Sequence, residues 1–196
     1  MTTTPPTLSD AFPAAIAFVL GHEGGFSDDP ADSGGPTRWG VSLAWLRKAG
    51  LLDLDHDGRP DGDVNGDGAV DAEDVRVLPR DHAIRLYRLH WWDALGYARI
   101  TDPAIAAKTF DLAVNMGAAA AHRCLQRALR AAWFPVADDG QLGPKSLAAI
   151  NAADPRSLMP AFKSEAAGHY RALIAARPVL AKFENGWLNR AYAQPL

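Results

Sequence analysis

An all-α fold is what this sequence predicts, and three observations carry the prediction. Nearly half of the 196 residues are apolar, and Ala-rich runs are frequent. Near the N-terminus Phe12, Ile16, Val19 and Leu20 return at helical spacing and so share one face. Further along, Asp102-Pro103 and Asp154-Pro155 each set a capping side chain before a proline at the first helical position, and Gly143-Pro144 opens a shorter helix. The length suits one domain, or one domain with a closely packed second lobe, and allows a substantial core. A small β-hairpin is expected only near Trp39.

The first helix carries Glu23 three or four residues beyond its apolar face. A carboxyl pressed against apolar neighbours resists ionisation, which keeps a general acid protonated near neutral pH. The alternative is a surface Glu at a helix end beside the glycine C-cap Gly24-Gly25. The apolar run from Ala11 to Gly21 is interrupted by Pro13 and falls short of the about 20 residues that span a bilayer. No signal peptide is visible, since the first Arg or Lys is Arg38. The single Cys124 excludes an intrachain disulfide and sits on an apolar helical face, as a buried structural thiol would.

After Glu23 comes EGGFSDDPADSGGPTRWG, in which glycines and prolines fix a series of turns while Asp28, Asp29, Asp32, Ser33, Thr37 and Arg38 supply polar groups. Here the chain resembles glycoside hydrolase family 108, the phage and bacterial N-acetylmuramidases. That family's helix ends E-G-G-aromatic and is followed by D-P-x-D-x-G-G-x-T-x-W-G. Glu23-Gly24-Gly25-Phe26, Asp29-Pro30, Asp32, Gly34-Gly35, Thr37 and Trp39-Gly40 match it position by position. The resemblance implies a lysozyme-like helical globule with Glu23 as catalytic acid. Asp32 and Thr37 follow in nearly the Glu, Asp, Thr order of phage-type lysozymes, where the last two position or activate water; the second gap is one residue shorter here. Trp39 could stack on a sugar or belong to the core.

Between Asp53 and Asp74 the chain reads DLDHDGRPDGDVNGDGAVDAED, with nine acidic residues and one basic. That segment carries minus eight, and because the whole chain is minus three the remainder carries plus five. So dense a cluster repels itself unless cations neutralise it, while the mildly basic body suits a wall polymer bearing carboxylates and phosphates. The second half fits a calcium loop of the EF-hand or dockerin kind: Asp63, Asn65, Asp67, the carbonyl of Ala69, Asp71 and Asp74 occupy the ligand positions, with Gly68 at the turn. Asp replaces the usual Glu at the last position. The first half opens alike with Asp53, Asp55 and Asp57, but Pro60 and Val64 break the template; a second ion could bind between Asp53, Asp55, Asp57, Asp61 and a shared Asp63. The expected ion is structural Ca2+, ordering an otherwise long connection.

Helical patterns flank the insert from Ser42 to Ala49 and from Glu73 to Leu78. Another runs from Pro79 to Trp92 on the spacing of His82, Leu86, Tyr87 and Leu89. The helix opened by Asp102-Pro103 passes through FDLAVNMG and stops at Gly117. The second half resembles the peptidoglycan-binding region of family 108, through F-D-x-A-V-N-x-G at Phe110 to Gly117 and D-G-x-L-G-P-K-[ST] at Asp139 to Ser146. A catalytic lobe over 8–96, with its insert at 53–74, and a wall-binding lobe over 97–193 are expected. Asn115 could donate to a sugar or cap its helix. Tyr87, Trp91 and Trp92 share Trp39's ambiguity, with one of these aromatics expected on glycan.

The resemblance implies hydrolysis of the β-1,4 bond between N-acetylmuramic acid and N-acetylglucosamine by a monomer that engages peptidoglycan, without nucleic acid or membrane insertion. A partner carboxylate about 6.5–9.5 Å from Glu23 would make the enzyme inverting, and about 5–5.5 Å retaining. Asp32 leads for that role over Asp28 and Asp29. A lytic transglycosylase and a non-catalytic, calcium-dependent wall-binding module are rival readings. A zinc peptidase is weak, because Phe26 stands where H-E-x-x-H needs its second His. As an endolysin the protein would stay cytoplasmic until a holin released it to the wall.

Overall fold

The computed structural model describes residues 10–22, 25–28 and 34–195. Among them the architecture is all-α, with one two-stranded hairpin. The chain divides into two compact units, Ile16–Leu95 and Gly96–Leu196 with Met1–Ala15. Among the described residues no helix is long and apolar enough to cross a membrane.

Helix α1 (Phe12–His22) begins where Asp10 Oδ1 accepts from the Phe12 N–H at 3.1 Å. Pro13 lies in its first turn, where no intrahelical donor is lost. Phe12, Ala15, Ile16, Val19 and Leu20 are all buried, so the expected apolar face is the one the helix uses.

In the Ile16–Leu95 unit, β1 (Thr37–Arg38) pairs antiparallel with β2 (Val41–Ser42), Thr37 opposite Ser42 and Arg38 opposite Val41. The connecting residues Trp39 and Gly40 have φ of +55° and +78°, the left-handed pair that two-residue hairpin turns of primed type require. Ser42 caps α2 (Leu43–Ala49), its side chain accepting from the Trp45 N–H at 3.3 Å. Beyond the acidic insert, Asp71 and Asp74 form a reciprocal capping box at α3 (Ala72–Val77). Helix α4 (Arg80–Tyr87) then widens into a π-helical turn, Arg88–Asp93. The helix expected over 79–92 is therefore present, but its winding changes from α to π after Tyr87. The wider turn lets three consecutive side chains find partners: His90 bonds Asp61, Trp91 stacks on Trp45, and Trp92 is buried.

The other unit is built around α5 (Pro103–Met116), capped by Asp102, whose Oδ1 accepts from the Ile105 N–H at 2.8 Å. Every residue from Ile105 to Ala113 is buried. Helices α6 (Ala118–Ala131) and α8 (Pro155–Ala176) pack together, with α5 against α6 and α9 (Glu184–Tyr192) against α8; α7 (Pro144–Ala152) packs on α6. A buried charged cluster ties the end of the chain to α5. Lys108 donates to the carbonyls of Arg190 and Ala193, and Arg190 Nε donates to Asp111 Oδ1 at 2.9 Å. Burial, opposed by the charge of Asp111, pulls the Lys108 ammonium down to about 8.

Candidate active site and acidic insert

Glu23 and Asp32 lie outside the described residues. The structure describes the segments that flank them in sequence. Ser27 and Thr37 exchange both backbone hydrogen bonds at 2.8 Å, so the chain at Ser27 is fastened to the hairpin. Thr37 is thus paired on both sides, with Ser27 and with Ser42, and its Oγ1 donates to the Gly35 carbonyl at 3.2 Å. With the proton so directed, the hydroxyl's lone pairs remain to accept. The Gly34 and Pro36 carbonyls accept from the Ala44 and Leu43 N–H groups, locking this loop onto the start of α2.

Trp39 holds the turn in place. Its indole Nε1 donates to the Leu78 carbonyl at 3.1 Å, and its own carbonyl accepts from the Tyr87 hydroxyl at 3.1 Å. A left-handed Trp costs about 1–2 kcal/mol, which these two bonds offset. Arg38 adds a third strut by donating to the Arg76 carbonyl. Tyr87 is fully buried and presents no ring face to solvent, so the expected sugar contact gives way to a supporting role beneath the hairpin. Trp92 is buried as well. Trp91 is half-buried and stacks on the half-buried Trp45 at 4.4 Å, a partner that sequence spacing did not reveal.

The acidic insert folds as two successive loops of the same pattern. In the second, Asp63 accepts from the Gly66 and Gly68 N–H groups, Asn65 from Asp67, and Asp67 from Ala69. Asp74 closes it, with Oδ1 accepting from Val64 and Asn65 and Oδ2 from Asp71. In the first, Asp53 accepts from Asp57 and Gly58, and Asp57 from Arg59. Asp61 closes this loop, its Oδ2 accepting from the Leu54 N–H at 3.1 Å and from His90 Nε2 at 2.8 Å. Among the described residues Asp53, Asp55 and Asp61 form a group of carboxylates that could hold a metal ion, with one oxygen of each within 4.8 Å of the others. The template had placed loop closure at Val64. The chain closes it at Asp61, three residues earlier, because His90 from the π-helical turn meets that carboxylate.

In the Gly96–Leu196 unit, Asn115 Oδ1 accepts from the Tyr170 hydroxyl at 2.7 Å, which leaves the amide N–H groups to donate. Asn115 does not cap α5; Gly117, at φ +86°, does. The Asp139–Ser146 segment is organised from α6. Gln126 donates to Asp139, Gln141 and Ser146 and accepts from the Gly140 N–H, while His122 Nδ1 donates to the Gly140 carbonyl at 2.9 Å. That bond fixes the tautomer, so Nε2 accepts from the Tyr97 hydroxyl at 2.8 Å. Only glycine fits at 140: its φ is +81° and a Cβ would stand 2.8 Å from the Ala119 carbonyl oxygen. The result is a groove of about 510 Å³ bordered by Pro135, Val136, Gln141, Pro144 and Lys145. Two residues before it stands Trp133, 93% exposed. Trp133 occupies the left-handed position that closes α6, at φ +66°, with its N–H bonded to the Arg130 carbonyl and that of Phe134 to the Leu129 carbonyl. This is a Schellman ending with tryptophan where glycine is usual.

The description Glycosyl hydrolase 108 matches residues 16–117, and Predicted Peptidoglycan domain matches residues 120–192. The Phe110–Gly117 segment therefore falls with the hydrolase match and not with the peptidoglycan region to which its motif had been assigned. No curated protein matches the chain. Among solved structures the chain is similar to Brucella abortus SagA, with 26% identity and a TM-score of 0.67 over 92% of this chain and 88% of that one. Because the hydrolase match spans more than half the sequence and a peptidoglycan domain follows it, the chain belongs to glycosyl hydrolase family 108 and is a peptidoglycan hydrolase.

Proposed function

We propose that the enzyme is a muramidase that cleaves the β-1,4 bond between N-acetylmuramic acid and N-acetylglucosamine, with Glu23 as general acid. The observation that carries this reading is the family match beginning within α1 and running through the Glu23–Gly40 motif. In it Glu23 protonates the glycosidic oxygen as the sugar gains oxocarbenium character. Thr37, paired on both sides, and Asp32 position the attacking water. The test compares wild type with Glu23→Gln on purified peptidoglycan, reading soluble products by mass spectrometry. Reducing muropeptides from wild type alone support the proposal. Anhydro-sugar products would instead make the enzyme a transglycosylase, and equal product from the variant would remove Glu23 from the chemistry.

For the hold on the wall, the groove at Pro135–Ser146 and the exposed Trp133 form the contact surface, within the span matched by the peptidoglycan domain. A bare aromatic in a backbone conformation that disfavours it marks a position kept for binding. Trp133→Gly should raise stability by about 1 kcal/mol through relief of the left-handed strain. The same change should weaken co-sedimentation with insoluble peptidoglycan several-fold. A variant that is stabilised yet binds as wild type would show that Trp133 does not touch the wall.

A further inference from the structure

We propose that Asp53, Asp55 and Asp61 bind a calcium ion in a site distinct from the Asp63–Asp74 loop. Three carboxylates approach so that one oxygen from each lies within 4.8 Å of the others. Ligand oxygens on opposite sides of a calcium ion, each about 2.3–2.6 Å from it, are separated by about that much. The decisive observation is Asp61. Its side chain is only 2% exposed, and its Oδ1 is buried without a hydrogen-bond partner, although Oδ2 receives both His90 and the Leu54 N–H. A bound cation would satisfy this buried carboxylate oxygen, to which no protein group donates.

The surroundings fit. A polar cavity of about 160 Å³ is lined by Asp55, Asp57, Asp61 and Asp63, with Arg59, His82 and Arg85 also on its wall. His82 Nε2 donates to the Asp61 carbonyl and its Nδ1 accepts from Arg85, so this imidazole acts as a brace. The basic groups at hand are His90, which is bonded to Asp61 Oδ2, and the lining residues Arg59 and Arg85. Arg85 stands 3.6 Å from Asp55 Oδ2, half exposed, and none of the three is bonded to Asp61 Oδ1. The neighbouring loop differs at the corresponding place, because both oxygens of its closing residue Asp74 already accept backbone N–H groups. An all-oxygen donor set selects a hard cation. An irregular set of carboxylates completed by water suits calcium, whereas magnesium demands near-ideal octahedral geometry.

The test titrates calcium chloride into chelator-stripped full-length protein by calorimetry. It compares wild type with Asp53→Asn/Asp55→Asn, two half-buried positions whose replacements retain an acceptor oxygen. The expected result is the loss of one bound equivalent in the variant, with the helical circular dichroism unchanged. A second variant, Asp67→Asn/Asp71→Asn, alters the neighbouring loop and should retain both this equivalent and a calcium-induced rise in melting temperature. Equal stoichiometry in wild type and Asp53→Asn/Asp55→Asn, or no calcium bound by wild type at millimolar concentration, would overturn the site. A magnesium titration of equal affinity would overturn its assignment to calcium.

Discussion

Trp39 is one residue with three attachments: a left-handed backbone, an indole bonded to Leu78 and a carbonyl held by Tyr87. The sequence marks it as an aromatic near a proposed active site and cannot say more, because Leu78 and Tyr87 are 39 and 48 residues away. Tyr87→Phe isolates the effect of the buried hydroxyl while leaving the ring in place. Loss of the bond leaves the Trp39 carbonyl without that donor and should cost about 1–2 kcal/mol. For a chain of this size that lowers the melting temperature by roughly 2–8 °C. The hairpin that presents Thr37 should loosen too, so turnover on peptidoglycan falls more than the loss of folded protein explains. Unchanged melting and turnover would show that Trp39 is held by its indole alone.

Among the elements, legibility followed locality. The helices opened by Asp102, Gly143 and Asp154 begin where cap and proline place them, since a cap is a contact over two or three residues. The Trp39-Gly40 hairpin was visible for the same reason. What escaped was non-local. The π-helical turn at Arg88–Asp93 has no signature in a 3.6-residue periodicity, and the pairing it enables between His90 and Asp61 spans 29 residues. That pairing closes the first acidic loop at Asp61, so a template with a fixed closing position rejected a loop that the fold completes by other means. The polar residues of FDLAVNMG illustrate the same limit: Asp111 is spent on Arg190 and Asn115 on Tyr170, partners supplied by α9 and α8.

For the molecule as a whole, two imidazoles, the buried His122 and the half-buried His169, make stability sensitive to acid. Burial holds His122 below imidazole's ordinary 6.5, and burial with the nearby Arg127 charge does the same for His169. Above that value both are neutral whether the chain is folded or not, and stability is complete with respect to them. As pH falls below 6.5 the unfolded chain takes up protons that the folded protein resists, so stability declines. Melting temperature should therefore fall as pH drops below about 6.5, with a shallower slope in His122→Gln; equal slopes would exonerate His122. The lone thiol offers a separate handle. Cys124 is buried in α6, and burial first, with Glu165 second, pushes it up to about 11. Neither access nor thiolate is available in the native state, so a maleimide can modify this chain only when that unit opens. The protein thus carries a built-in clock for its own breathing, readable on unaltered molecules and silent about every other part of the chain.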